Sequence, residues 1–134
     1  MTMNLKIVSL FLLVGAVLLG SNFTQIDPSW EVPEKYKNME NPVAGDEEMT
    51  EIGEELWEKH CRSCHGKEGL GDGPKAAQLE TPSGDFTSEK FHAQSDGEMY
   101  YKTLEGRGDM PGYKKKIPYE EDMWALVNFM RTLE

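Results

Sequence analysis

The sequence predicts an all-α domain, and three observations carry that prediction. Residues 46–61 repeat apolar side chains at the spacing of one helical stripe. Residues 119–133 are apolar over more than half of a helical circumference. No stretch alternates apolar and polar residues as a half-buried strand would. A length of 134 residues implies one domain.

Residues 1–21 stand apart from that domain. Lys6 precedes an apolar run from Ile7 to Gly20, fourteen residues long. As a helix this run would span roughly 21 Å, short of the roughly 30 Å hydrocarbon core of a bilayer. A basic start followed by such a run has the form of an export signal. The small-residue cleavage site is weak, with Leu18 and Gly20 as the nearest candidates. Residues 1–21 are therefore read as a cleaved signal, or as an anchor over residues 5–23 that is retained. Residues 22–45 contain Pro28, Pro33 and Pro42 and no sustained period, which describes an extended tether or a wrap along the surface. Trp30 and Tyr36 are its candidates for packing onto the domain, or for sitting at a membrane interface.

The domain proper is expected over residues 46–134. Asp46 is a fitting N-cap for its first helix, with acids in the first turn where the helix dipole favours them. Met49, Ile52, Gly53, Leu56, Trp57 and His60 form the buried stripe. Gly53 costs about 1 kcal/mol against alanine there, which makes sense if another backbone crosses closely.

Residues 61–65 read Cys-Arg-Ser-Cys-His and hold both cysteines of the chain. That spacing is the attachment signature of a c-type haem. Thiols three residues apart on one helical turn can both bond the vinyl groups of one porphyrin. His65 then lies beneath the iron as a ligand. The rival readings are weaker. A thioredoxin-like pair belongs beside a βαβ pattern, a structural zinc needs four ligands, and a plain disulfide has no use for the histidine. The predicted cofactor is one covalent haem c, held by Cys61, Cys64 and His65.

Gly66 to Gly73 holds four glycines and reads as a loop closed by Pro74. Ala76 to Gln94 reads as mostly irregular, anchored by Phe86 and Phe91. A helix is expected over Ser95–Glu105, then a turn-rich segment Gly106–Pro118, then the last helix over Tyr119–Leu133. The second iron ligand must come from these parts. Met110 is the leading candidate, because Gly-Arg-Gly-Asp-Met-Pro-Gly is an irregular loop able to carry a thioether over a ring face. Met99, Met123 and Met130 fall on helices among apolar neighbours and read as core. His92 is the rival ligand, and an open iron site is the third reading.

These residues resemble the bacterial mono-haem class I cytochrome c family over roughly residues 46–133. The resemblance rests on Gly53 and Trp57 before Cys61-x-x-Cys64-His65, the glycine loop ending in Pro74, Met110-Pro111, and Trp124, Leu126 and Phe129 in the last helix. It implies a fold of three to four helices wrapped around one covalently bound haem. It also implies that Gly53 and Trp57 cross the last helix near Leu126 and Phe129, and that the Pro74 carbonyl accepts the Nδ1–H of His65. Partners for the haem propionates stay open among Tyr113, Arg107 and Trp124.

Net charge is −10. Such a surface repels phosphates, so nucleic acid is not an expected partner. The charge is uneven, with seven acids against one lysine in residues 46–60 and four basic groups against one acid in 106–116. In the family this resembles, electrons leave at a haem edge bordered by the methionine loop. Lys114, Lys115 and Lys116 would then steer docking to an acidic redox partner. The function this implies is an exported, periplasmic carrier of single electrons between respiratory complexes or an oxidase, free or anchored through the N-terminus. The competing readings are a haem subunit fixed in a larger membrane complex, and a small haem enzyme or sensor with an open iron site.

Overall fold

The computed structural model describes residues 30–134, so the expected signal or anchor lies outside the described residues. The elements are α1 (Glu34–Lys37), α2 (Glu47–His60), α3 (Arg62–His65), α4 (Glu89–His92), α5 (Asp96–Glu105) and α6 (Glu120–Thr132). A 3-10 turn, Ala76–Gln78, lies between α3 and α4. Among the described residues there is no strand, only an isolated bridge between Arg107 and Met110. No helix among them is long and apolar enough to cross a membrane.

Two of the three long helices start at side-chain caps, and the third at a run of acids. Asp46 accepts from the Met49 amide at the head of α2. Ser95 and Glu98 form a reciprocal capping box at the head of α5, satisfying two otherwise unpaired donors. Glu120, Glu121 and Asp122 fill the first turn of α6, where the helix dipole favours negative charge.

Helices α2 and α6 cross at Gly53. A Cβ at that position would collide with the Ala125 carbonyl and come within 2.9 Å of the Phe129 Cβ. The crossing is therefore backbone against backbone, as the in-helix glycine implied. One turn later Trp57 packs against Phe129, ring centroids 5.7 Å apart. Trp57, Met123, Trp124, Leu126 and Val127 are the largest fully buried side chains. Helix α5 closes the core from the side, with Tyr100 lying 4.3 Å from Trp124 between ring centroids.

The described part of the tether belongs to this core. Val32 is buried, and the Tyr36 ring packs on Tyr100 and Tyr101 at 6.4 and 4.6 Å. The Tyr36 carbonyl approaches Gly97 so closely that no Cβ would fit there. Asn41 donates to Asp96 Oδ2 at 3.1 Å and to Asn128 Oδ1 at 2.7 Å, and Asn128 returns a bond to the Val43 carbonyl. Asp96 in turn receives Arg131 Nε at 2.7 Å. The expected extended tether thus contains a one-turn helix and a polar lock. The stretch expected to be irregular after Pro74 contains the 3-10 turn and α4.

Gly53→Ala should lower stability by about 1–3 kcal/mol or more, because the added methyl meets a carbonyl rather than a movable side-chain tip. A denaturation midpoint equal to that of the wild type would contradict this account of the crossing.

Candidate haem-attachment site

Cys61 ends α2 and begins α3. The amides of Cys64 and His65 both return to the Cys61 carbonyl, at 3.1 and 3.0 Å. The two thiols and the imidazole therefore hang from one tight turn. Cys61 and Cys64 form no disulfide. Burial, reinforced by the neighbouring Cys64, pushes the Cys61 thiol up to about 12 before any haem is attached.

The glycine loop folds back over this turn. Gly71, Gly73 and Lys75 donate their amides to the carbonyls of His65, Cys64 and Ser63, at 2.8, 3.2 and 2.8 Å. A Cβ on Gly73 would lie 2.6 Å from the carbonyl oxygens of Arg62 and Ser63, so the loop touches the turn directly. Trp57 Nε1 donates to the Gly66 carbonyl at 3.1 Å and fastens the turn's exit to α2.

His65 is held in a single orientation. Its ring lies between Phe86, at 4.7 Å, and Trp57, at 5.7 Å between centroids. Nδ1 lies 2.9 Å from the Ser83 carbonyl. A carbonyl only accepts, so the proton sits on Nδ1 and the Nε2 lone pair is left for a metal. Burial lowers the pKa of this imidazole, opposed in part by the Ser83 bond, which keeps it neutral and fit to ligate.

The acceptor on Nδ1 corrects an expectation. The Pro74 carbonyl does not take that role. Pro74 sits between Gly73 and Lys75, whose amides close the loop onto the back of the turn. The chain then runs through the 3-10 turn and returns, with the Phe86 amide bonded to the Gly69 carbonyl at 2.8 Å. That return brings Ser83, rather than Pro74, to the ring.

Met110 is half-buried on the turn Arg107–Met110, where the two end residues exchange backbone bonds of 2.8 and 3.0 Å. Gly106 and Gly108 take positive φ of 68° and 56° there, a conformation that favours glycine. Asp109 Oδ2 accepts from the Glu80 and Thr81 amides at 2.8 and 3.2 Å. The rival ligand His92 is committed elsewhere, with Nε2 2.7 Å from the Leu133 carbonyl and its own carbonyl held by Arg131. Met99, Met123 and Met130 are 3%, 1% and 4% exposed, each on a helix within the core.

The three propionate candidates have other contacts. Tyr113 donates to the His60 carbonyl at 2.9 Å, and Arg107 lies 4.6 Å from the Trp30 ring centroid. Trp124 Nε1 lies 3.5 Å from Glu120 Oε1. Among the described residues, no group of three or more His, Cys, Asp or Glu side chains is placed to hold a metal ion by itself.

The donor set fits a c-type haem. Two thiols and a neutral, oriented imidazole share one turn, and a thioether stands on a separate locked turn. Among the described residues the buried Ser83 Oγ has no hydrogen-bond partner, an unused polar atom on the residue that orients His65. Ser83, Phe86 and Asp109 were not legible as site residues in the sequence. Two of them act through or upon backbone groups, which leave no residue-type signal, and Phe86 reads only as an apolar anchor.

A helical shell closed over such a turn defines a protein built to carry covalently attached haem. The family model described as Cytochrome c matches residues 50–134, and the chain belongs to that family. No curated protein matches the chain. Among solved structures, the chain is similar to one in the Kuenenia stuttgartiensis reducing HAO-like protein complex Kustc0457/Kustc0458, with a TM-score of 0.61 and 28% identity. The likeness covers 78% of this chain and 52% of that one, so this chain spans about half the length of the structure it matches.

His92→Ala should cost about 1 kcal/mol in stability through the lost bond to Leu133. The absorption spectrum of the haem-loaded protein should be unchanged by it. A spectral change would return His92 to the ligand set.

Proposed function

We propose that this haem-binding electron-transfer protein is an exported carrier of single electrons between respiratory redox partners. In this reading His65 and Met110 are the axial ligands, and Cys61 and Cys64 are the covalent attachment points. The observation that carries it is the orientation of His65: neutral, its Nδ1–H spent on Ser83 and Nε2 left free, on the turn that also bears the chain's only two thiols. The bound haem supplies a one-electron couple at iron. The chain's own residues hold that couple rigid. Met110 stands on a turn closed at both ends, and His65 is wedged between two aromatic rings. Ligands that do not rearrange between oxidation states favour electron transfer over substrate chemistry, and a sulfur ligand raises the potential relative to two histidines.

Charge sets the docking. Lys114, Lys115 and Lys116 are exposed directly after the methionine turn, whereas Glu47, Glu48, Glu51, Glu54, Glu55 and Glu58 are exposed on α2. The lysines would guide the carrier onto an acidic patch of a redox partner. Residues 1–21 would export the chain to the periplasm, and residues 5–23, if retained, would tether it to the cytoplasmic membrane.

A second reading, a haem subunit fixed in a larger complex, is favoured by one observation. The similar structure is a chain of a protein complex, and the likeness covers only 52% of it.

Met110→Ala in the haem-loaded protein should abolish the sulfur-to-iron charge-transfer absorption and lower the reduction potential. An unaltered spectrum would place the sixth ligand elsewhere. Electron transfer to the partner should slow as salt rises through the range where the screening length falls below about 10 Å. Rates that are flat with ionic strength would remove the steering role from the lysines.

A further inference from the structure

The turn that carries Met110 is fixed firmly at its base. The Tyr113 amide reaches the carbonyls of Thr103 and Leu104, each at 3.1 Å, and the Lys114 amide reaches Leu104 at 3.4 Å. Gly106 and Gly112 pack against this base with no room for a Cβ. The tip is another matter. It meets the Glu80–Ser83 segment, where two amides donate to one atom, Asp109 Oδ2.

We propose that Asp109 is a positioning residue for electron transfer, whose carboxylate ties the turn bearing Met110 to the loop that orients His65. This rests on the reading of His65 and Met110 as axial ligands. The path is short and continuous. Asp109 precedes Met110 in the chain. Its oxygen binds the amides of Glu80 and Thr81, and Ser83, two residues on, accepts the Nδ1–H of His65 at 2.9 Å. The two loops that would supply the iron ligands' supports are thereby clipped together through one carboxylate oxygen.

The chemistry explains why the residue is an acid. Adjacent backbone amides pointing at one spot make a small anion cradle, and an ionised oxygen binds such donors more strongly than a neutral one. The clip is exposed, so water competes with it. Its effect falls on how readily the methionine turn opens, and little on the unfolding of the helices. Outer contacts of this kind commonly change ligand affinity at a metal by about 10–100-fold.

The test uses haem-loaded wild type, Asp109→Asn, Asp109→Ala and Met110→Ala proteins. The rate at which added imidazole binds the ferric iron reports opening of the methionine side, and helix content against denaturant reports global stability. Asp109→Ala should bind imidazole about tenfold faster than wild type. Asp109→Asn, which keeps an acceptor oxygen without the charge, should fall between them, and the helix-unfolding midpoints should stay close together. If both Asp109 variants bind at the wild-type rate while Met110→Ala binds much faster, the clip is refuted and the ligand reading survives. If Met110→Ala also binds at the wild-type rate, the ligand reading fails and the clip falls with it. A rise in rate matched by an equal loss of global stability would make Asp109 a structural residue only and overturn the proposal.

Discussion

The rest of this structure depends on the contact between Gly53 in α2 and the Ala125 carbonyl in α6. Two helices can approach to that distance only where one lacks a side chain, and the approach sets where the neighbouring side chains of both must pack. Trp57, one turn after Gly53, is brought against Phe129 and buried. From there its indole N–H reaches the Gly66 carbonyl and holds the far end of the Cys61–His65 turn. The haem-attachment turn thus inherits its place from a helix crossing with no chemistry of its own.

The site itself is the work of loops stacked on that turn. Backbone amides from Gly71, Gly73 and Lys75 take up the carbonyls that the short α3 would otherwise leave open. The glycines are needed because these backbones touch. Opposed influences then set the state of His65. Burial disfavours its charged form, and the Ser83 carbonyl favours a proton on Nδ1. A neutral ring with a fixed tautomer satisfies both, and it is also the form that binds iron.

The long helices were legible because each combines an apolar stripe with a start signal: the caps Asp46 before α2 and Ser95 with Glu98 before α5, and acids in the uncapped first turn of α6. The one-turn helices α1 and α4 were not, since four residues are too few to show a period. The attachment turn was legible from spacing alone. Met110 stood out as the proposed ligand because its loop is irregular, while Met99, Met123 and Met130 lie on core helices. The acceptor on His65 was misplaced for a physical reason. It is a main-chain carbonyl, which every residue has, and only the path of the chain after Pro74 decides that Ser83 delivers it. Asp109 was hidden in the same way, because its partners are amides.

Residues 22–45 read as an extended tether or a wrap along the surface, and their described part packs onto the domain. Asn41 ties it to α5 and α6 through Asp96 and Asn128, so removing it would strand polar groups that those helices hold partly buried. Farther toward the N-terminus, Trp30 lies over Arg107, the first residue of the turn that ends in Met110. The chain therefore enters the domain beside the methionine side of the site.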